Sequence, residues 1–534
     1  MSLTLDFHGA ASTVTGSCYR IIHPRGSFLV DCGMFQGSKT LTTLNYGSLP
    51  FPPREPDFLL LTHAHIDHSG MIPRLVKAGF RGPIFATSGT IDLCAFVLPD
   101  AGNIQESEVA RINRRNCQRG DPEVTPIYTR ADAQSALGSL RDVRYQEWLP
   151  AGPVVRARFW NAGHILGSAS IEVEIDTGAS AASPLRLLFS GDLGPRNKAF
   201  HPDPDAPSGF DYLVTESTYG RSDRPELPAA KRRDLLRTEV LAALQRGGNL
   251  LIPAFAIERT QELLLDLARL FGTNELPRIT VYVDSPMAIE ATRVFMQHAR
   301  ELEDMENGLP FEMPNFHYVQ SVEQSKQINR IAGGAIILAA SGMCEAGRIR
   351  HHLKQNLWRP EATVLFVGYQ AAGTLGHLIL SGANPVRIHG EEVSVRANVR
   401  RLETYSGHAD GPQLVNWVRE RLPVQRGIFL THGEEDARTA FRQALVAAGC
   451  GADIIFAPRL DDRFDLLTAS MIQTVGRRLP PDAVLHPDWH HHYSATTLDL
   501  RRRLDAMPDN QARVHMLERV RKVMSSDSAS GTRN

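Results

Sequence analysis

Leu59-Leu60-Leu61-Thr62-His63-Ala64-His65-Ile66-Asp67-His68-Ser69-Gly70 is a short apolar run that breaks into three histidines and one aspartate within six positions. Imidazole and carboxylate together are the ligand set of zinc and its borderline neighbours, and no thiolate is in the cluster. Asp57 to Thr62 reads as a buried strand ending at Thr62. If the backbone stays extended just past it, His63 and His65 point to the same side. A turn at Ile66 then brings Asp67 and His68 beside them, aimed at a neighbouring point. A lone histidine reads as a surface or satisfied core residue; H-x-H-x-D-H directly after a strand reads as half of a two-metal site. The other half has to come from elsewhere in the chain.

At 534 residues, 42% of them hydrophobic, the chain exceeds one ordinary domain and has ample core-forming material. Lys and Arg number 58 against 59 Asp and Glu, a net charge of −1, so no global basic field advertises nucleic acid. A polyanionic substrate would need local patches or metal. Cys18, Cys32, Cys94, Cys117, Cys344 and Cys450 are scattered without a C-x-x-C pair, which argues against a disulfide framework or a thiolate zinc site. The N-terminus lacks a basic leader, and no segment approaches the roughly 20 apolar residues of a membrane span. The expectation is a soluble, cytoplasmic protein without membrane partners.

Residues 1–208 read as short strands separated by Gly/Pro/Ser turns, with helices between, which predicts two sheets with helices outside. Asp31, at the end of the strand Phe28 to Val30, reads by itself as a turn or hydrogen-bonding residue. Two further pieces supply what the opening motif lacks. Gly163-His164-Ile165-Leu166-Gly167 and Ser190-Gly191-Asp192-Leu193-Gly194 each place one candidate ligand between glycines just after a strand. A carboxylate can bridge two ions roughly 3.5–4 Å apart, a role that suits Asp192.

Residues 209–393 alternate strands with helices, the signature of a parallel α/β sheet. Short strands return over 394–460, where Ser406-Gly407-His408 and Thr431-His432-Gly433 each precede a helix. The pattern predicts a first domain that is interrupted by an insertion and then completed. The tail, 461–534, carries a helical pattern near Phe464 to Arg478, the run Trp489-His490-His491-His492, and a basic amphipathic stretch with Arg501, Arg502, Arg503, Arg519, Arg521 and Lys522. Ser525 to Asn534 reads as disordered.

The series Asp31, H-x-H-x-D-H, His164 and Asp192 resembles the metallo-β-lactamase fold, and the insertion resembles that of its β-CASP nucleases. Glu216 in Thr215-Glu216-Ser217-Thr218-Tyr219 is similar to the family's motif A acid, His408 to motif B and His432 to motif C. Pro253-Ala254-Phe255-Ala256-Ile257-Glu258-Arg259, Asp284-Ser285-Pro286-Met287-Ala288 and Ser341-Gly342-Met343 resemble its insertion motifs. Within that family the chain resembles the relatives of the endonuclease subunit of the cleavage and polyadenylation specificity factor, bacterial ribonucleases included. One departure is His377, in Gly373-Thr374-Leu375-Gly376-His377, where the family has Arg. The implied fold is an αββα sandwich interrupted by a Rossmann-like β-CASP domain.

The resemblance implies that His63, His65 and His164 hold one zinc, that Asp67, His68 and His432 hold the other, and that Asp192 bridges them, with Asp31 as structural support. It implies attack of a metal-bridging hydroxide on the phosphodiester of single-stranded RNA. Asp67, His408 and Glu216 are the implied catalytic residues: His408 as general acid, Glu216 as the group that holds its tautomer. Ser406, Gly407 and His408 are the implied phosphate contacts. RNA over DNA rests on His432, since family members with Val at that position act on DNA. The basic patch Arg111, Arg114, Arg115 and Arg119 reads equally as a solvated helix face or a phosphate track. A hydrolase of small esters and a non-catalytic RNA-binding scaffold are the alternatives. Endonucleolytic or exonucleolytic action and a homodimer stay open.

Overall fold

A computed structural model of the chain describes residues 3–472 apart from 179–182, 225, 306–309 and 372, together with 478–479, 496, 500, 503–504 and 506–527. Two sheets pack face to face. The first has eight strands, in the order Ser470–Ile472, Asp462–Asp465, Thr4–Gly9, Cys18–His23, Gly26–Val30, Phe58–Leu60, Ile84–Thr87 and Leu140–Val143. The second has seven, in the order Ile455–Phe456, Val424–Thr431, Phe210–Glu216, Leu185–Phe189, Ala169–Ile175, Val155–Asn161 and Trp148–Pro150.

The opening motif's strand shows how the layers form. Phe58 and Leu60 face the second sheet and pack with Phe28, Val30, Phe159, Ile171 and Phe189. Leu59 and Leu61 face the opposite way, against the helices Ile72–Lys77 and Ser88–Arg119, where they meet Ile72, Leu75, Leu93 and Leu98. A strand buried on both faces reads as a continuous apolar run rather than an alternating one, as this one does.

Strands Gly26–Val30, Phe58–Leu60, Ile84–Thr87 and Leu140–Val143 run parallel to one another. So do Leu185–Phe189, Phe210–Glu216 and Val424–Thr431 in the other sheet. Asp31, the His63–His68 segment, Asp192, Glu216 and His432 all stand at or just past the carboxyl ends of these strands. That shared polarity is what gathers them.

The insertion is a six-stranded sheet, parallel throughout, in the order Phe316–Tyr318, Thr280–Val283, Ala335–Ala339, Leu250–Pro253, Thr363–Phe366 and Asn398–Arg401. Its helix Arg259–Gly272 buries Leu263, Leu264, Leu265 and Leu267 together with the polar Gln261, Glu262 and Asp266. One apolar cluster runs unbroken from Leu59 and Leu61 through Ile165, Leu166 and Phe200 to Leu263, Val281 and Phe295, so sandwich and insertion share a core. Among the described residues no helix is long and apolar enough to cross a membrane.

Three expectations change. Phe210–Glu216, which the boundary at 208 gave to the insertion, pairs on both sides within the second sandwich sheet. Asn398–Arg401, placed beyond the boundary at 393, pairs with Thr363–Phe366 inside the insertion's sheet. The segment from Phe464, expected as a helix, forms the antiparallel strands Asp462–Asp465 and Ser470–Ile472 instead. Phe464 and Leu466 are fully buried while Arg463, Asp465 and Leu467 face outward, a period of two that a helical reading overlooks. Phe464 lies edge-on to Phe429, 4.8 Å between ring centroids, and the Tyr212 hydroxyl donates to the Leu466 carbonyl at 2.8 Å. The tail also contains the helix Asn510–Asp527, which includes Ser525. Trp489 to His492, Arg501, Arg502 and residues 528–534 lie outside the described residues.

Because Phe464 fills the sandwich, Phe464→Ala should cost about 3–5 kcal/mol of stability. Chemical denaturation of the variant, with an unchanged m-value, checks this.

Candidate active site

Asp31 sits at the end of its strand at φ 60°, an unusual conformation for a side chain to accept, and is 1% exposed. Its carboxylate is saturated. The Thr62 amide donates to Oδ1 at 2.8 Å; the Thr62 hydroxyl (2.9 Å), the Ser17 hydroxyl (3.2 Å) and His68 Nδ1–H (2.7 Å) donate to Oδ2. Thr62 Oγ1 also lies 3.0 Å from His63 Nδ1 and, its own proton being given to Asp31, accepts there. One buried carboxylate thereby fixes two imidazoles, His68 directly and His63 through Thr62, with Nε2 of each turned inward.

The segment after His65 forms a single helical turn, Ile66–Ser69, which swings Asp67 and His68 round beside His63 and His65. Gly33 makes room for it: a Cβ there would fall 1.6 Å from the Asp67 carbonyl oxygen.

The remaining imidazoles are held the same way. His164 Nδ1–H donates to the Gly407 carbonyl at 2.6 Å. His432, at φ 48°, gives its Nδ1–H to Thr218 Oγ1 (3.0 Å), whose proton goes back to the His432 carbonyl (3.1 Å). Such outer partners settle which ring nitrogen is free.

The inward atoms form two groups. His63 Nε2 and His164 Nε2 each lie 3.1 Å from His65 Nδ1, and 3.5 and 3.6 Å from Asp192 Oδ2. His68 Nε2 is 3.1 Å from His432 Nε2 and 3.3 Å from Asp192 Oδ1, while Asp67 Oδ2 is 3.4 Å from His432 Nε2. Ligand atoms 2.0–2.2 Å from a tetrahedral zinc stand about 3.3–3.6 Å apart, so both groups have the spacing of a coordination shell. Asp192 offers one oxygen to each. Its Oδ1 is buried and has no hydrogen-bond partner among the described residues, the condition of an atom reserved for something else. The donor set fits two metal ions.

The electrostatics fit as well. Burial pulls the His63 and His164 pKa values well down, and His65 to about 4, leaving neutral rings with free lone pairs. Burial is the largest single influence on His68 and His432 and opposes their charge, but the neighbouring carboxylates together outweigh it, Asp192 and Asp31 at His68, Asp192 and Asp67 at His432, and both pKa values rise. Without metal, the second group therefore attracts protons, the mark of a cradle built for positive charge.

Glu216, at the end of its strand, accepts from the Leu193 amide at 2.6 Å and from His408 Nδ1–H at 3.2 Å. His408 is the outer member: its side chain is 19% exposed and Nδ1 lies 4.0 Å from Asp192 Oδ2. Ser406 Oγ closes a turn on its own loop, donating to the His408 carbonyl at 3.1 Å. His377 stands in the helix Leu375–Leu380, its Nε2 3.3 Å from Ser381 Oγ. Arg111, Arg114, Arg115 and Arg119 line the exposed end of the helix Ser88–Arg119.

Several groups at the site were not picked out as functional by the sequence reading. Arg259, at the start of its helix, donates through Nη1 to the Val367 carbonyl at 3.1 Å, and its Nη2 is 3.7 Å from where a Cβ on Gly407 would be. Arg224 donates to the His408 carbonyl at 2.8 Å and lies over the Tyr219 ring. Behind His164, Lys198 donates to the His164 carbonyl and pairs with Glu258, which also takes His201 Nε2–H at 2.9 Å. The signal for Arg259 was its place in a quoted motif at the carboxyl end of a strand; Lys198 and His201 carried none.

The chain matches the metallo-beta-lactamase superfamily over residues 12–81, the Beta-Casp domain over 260–379 and the Zn-dependent metallo-hydrolase RNA specificity domain over 392–458. It is 38% identical over 449 residues to a ribonuclease of Thermus thermophilus, an alignment covering 83% of this chain and 95% of that protein. Identity to the transcription termination factor FttA of Methanosarcina mazei is 30% over 448 residues, covering 80% of this chain and 66% of the other. With an RNase J-like protein of Methanocaldococcus jannaschii it is 29% over 449 residues, 83% and 95% of the two chains.

Asp31→Ala would leave His63 and His68 free to turn. It should lower metal affinity about 10–100-fold with the fold retained, measured as metal content after competition with a chelator of known affinity.

Proposed function

The chain belongs to the β-CASP family of the metallo-β-lactamase superfamily, and from that premise we propose that it is a zinc-dependent ribonuclease that hydrolyses phosphodiester bonds of single-stranded RNA. The observation that carries this is the pairing of the two ligand groups with His408 and Glu216, which are bonded to each other beside Asp192, Glu216 buried and His408 partly exposed. In this reading His63, His65 and His164 hold one zinc, Asp67, His68 and His432 hold a second, and Asp192 serves both. Bound there, the ions would supply Lewis acidity and a water of near-neutral pKa.

The chain's own residues supply the rest. Glu216 accepts from His408 Nδ1–H and so leaves Nε2 facing the leaving oxygen; as the imidazolium, His408 gives its Nε2–H to that oxygen and is left as the neutral Nδ1–H tautomer. The Leu193 amide on the same Glu216 oxygen holds the carboxylate in place. Arg259, aimed at Gly407 from the insertion side, neutralises charge that grows on the phosphate oxygens. Ser406, Gly407 and His408 form the loop against which the phosphate rests. The Gly407 carbonyl is committed to His164, so its contribution to substrate is the amide. RNA as substrate is supported by the ribonuclease relative and by the match to an RNA specificity domain. A hydrolase of small esters has no evident use for an insertion that brings Arg259 against the site. A non-catalytic scaffold has none for a complete donor set.

End-labelled unstructured RNA, offered with a 5′-phosphate or a 5′-hydroxyl, should be cut by the purified protein and spared after chelation, with close to two zinc per chain. Product lengths separate endonucleolytic from exonucleolytic action. Intact RNA beside hydrolysed small esters would overturn the reading. Asp67→Ala should abolish cleavage with loss of metal. His408→Ala should keep both ions and lower kcat about 10²–10⁴-fold.

A further inference from the structure

The parallel strands of the insertion end at Pro253, Val283, Ala339 and Phe366, and the carboxyl end of such a sheet is where ligands are bound. Two of the loops that follow present large aromatic rings to solvent. Phe255, two residues past its strand, is 39% exposed, and Tyr369, three residues past its own, is 46% exposed. Singly exposed rings are common; what sets these two apart is their place at the carboxyl end of the sheet.

Both rings border the catalytic cleft. Tyr369 lies edge-on to Tyr219, 6.1 Å between centroids, and Tyr219 lies edge-on to His408 at 5.7 Å. Arg224 covers the Tyr219 ring at 4.6 Å while donating to the His408 carbonyl. The Arg259 guanidinium is 5.8 Å from the Phe255 centroid and reaches toward Gly407. The loops are tied to each other: Gln370 Nε2 donates to the Gly342 carbonyl at 2.9 Å, and Gly342 leaves the space that Phe255 fills, since a Cβ there would meet the ring at 2.7 Å.

We propose that Phe255 and Tyr369 are base-stacking residues that hold the nucleobases flanking the scissile phosphate, and so make the enzyme select unpaired, splayed RNA whatever its sequence. This rests on the ribonuclease reading. A base in a duplex has both faces occupied and cannot lie on a protein ring; an unpaired base can. Every base has a π-face, so stacking is tolerant of sequence. Tyr369 reaches His408 through Tyr219, and Phe255 packs on Arg259, so each ring neighbours one of the two residues that hold the phosphate in this reading and is within reach of a base next to it. The insertion then reads strandedness while the sandwich supplies the ligand atoms. Phe255 and Tyr369 touch substrate bases and none of the reacting atoms, so they act on binding.

Steady-state cleavage of an unstructured 12-nucleotide RNA is compared with that of a ribose-phosphate chain of equal length without bases. Tyr369→Ala and Phe255→Ala should each raise KM for the RNA about 5–50-fold, change kcat less than about 3-fold, and leave the baseless chain unaffected. Tyr369→Phe should restore wild-type KM, since the ring and not the hydroxyl does the work. Unchanged KM in both alanine variants, or an equal loss on the baseless chain, overturns the proposal while the ribonuclease reading stands. Wild-type protein that leaves both chains uncut overturns the two together.

Discussion

A carboxylate removed from water must be fully paired, and Asp31 meets that demand with four donors, two from Thr62 and one each from Ser17 and His68. The demand is strict enough to hold the residue at a positive φ. Because two of its partners are themselves bound to, or part of, the inward-facing cluster, satisfying Asp31 also aims His63 and His68. His164 and His432 obey the same rule with different partners, a carbonyl and a threonine hydroxyl. Metal chemistry needs lone pairs that converge. Here convergence comes from hydrogen bonds made on the far side of each ring.

Those far-side partners are drawn from distant parts of the chain. Gly407, which fixes His164, lies beyond the insertion, and so does His432. The insertion is no appendage: it shares a core with the sandwich through Leu166, Phe200 and Leu263, and Glu258 at the start of its central helix accepts from the Leu166 amide at 3.2 Å. A shift of the insertion would therefore be felt at His164. Tight packing transmits such a shift instead of absorbing it.

The ligand cluster was legible in the sequence because its chemistry is concentrated. Histidines and aspartates stand among glycines at strand ends, and few other arrangements use those residues so. The αββα sandwich with its β-CASP insertion followed from the same motifs. Asp31 was harder, since a lone aspartate after a strand looks like any turn residue until its partners Ser17, Thr62 and His68 are seen together. The domain limits were misread because Phe210–Glu216 and Asn398–Arg401 have the composition of either sheet, and only pairing assigns them. The tail strand at Phe464 was missed because a short segment offers too few residues to separate a period of two from one of 3.6. Arg259 and Lys198 act through position in space, which a linear pattern does not carry.

The sandwich is knitted from both ends: Thr4–Gly9 pairs with Asp462–Asp465, and Asp31 and His432 serve one site. During synthesis at about 5–20 residues per second, the early ligands wait tens of seconds for the late ones. Until residues near 432 have left the ribosome, the chain holds four histidines and two aspartates of the cluster, and the group of Asp67 and His68 lacks its third member. The candidate site is therefore complete only when the last strands of the sandwich dock.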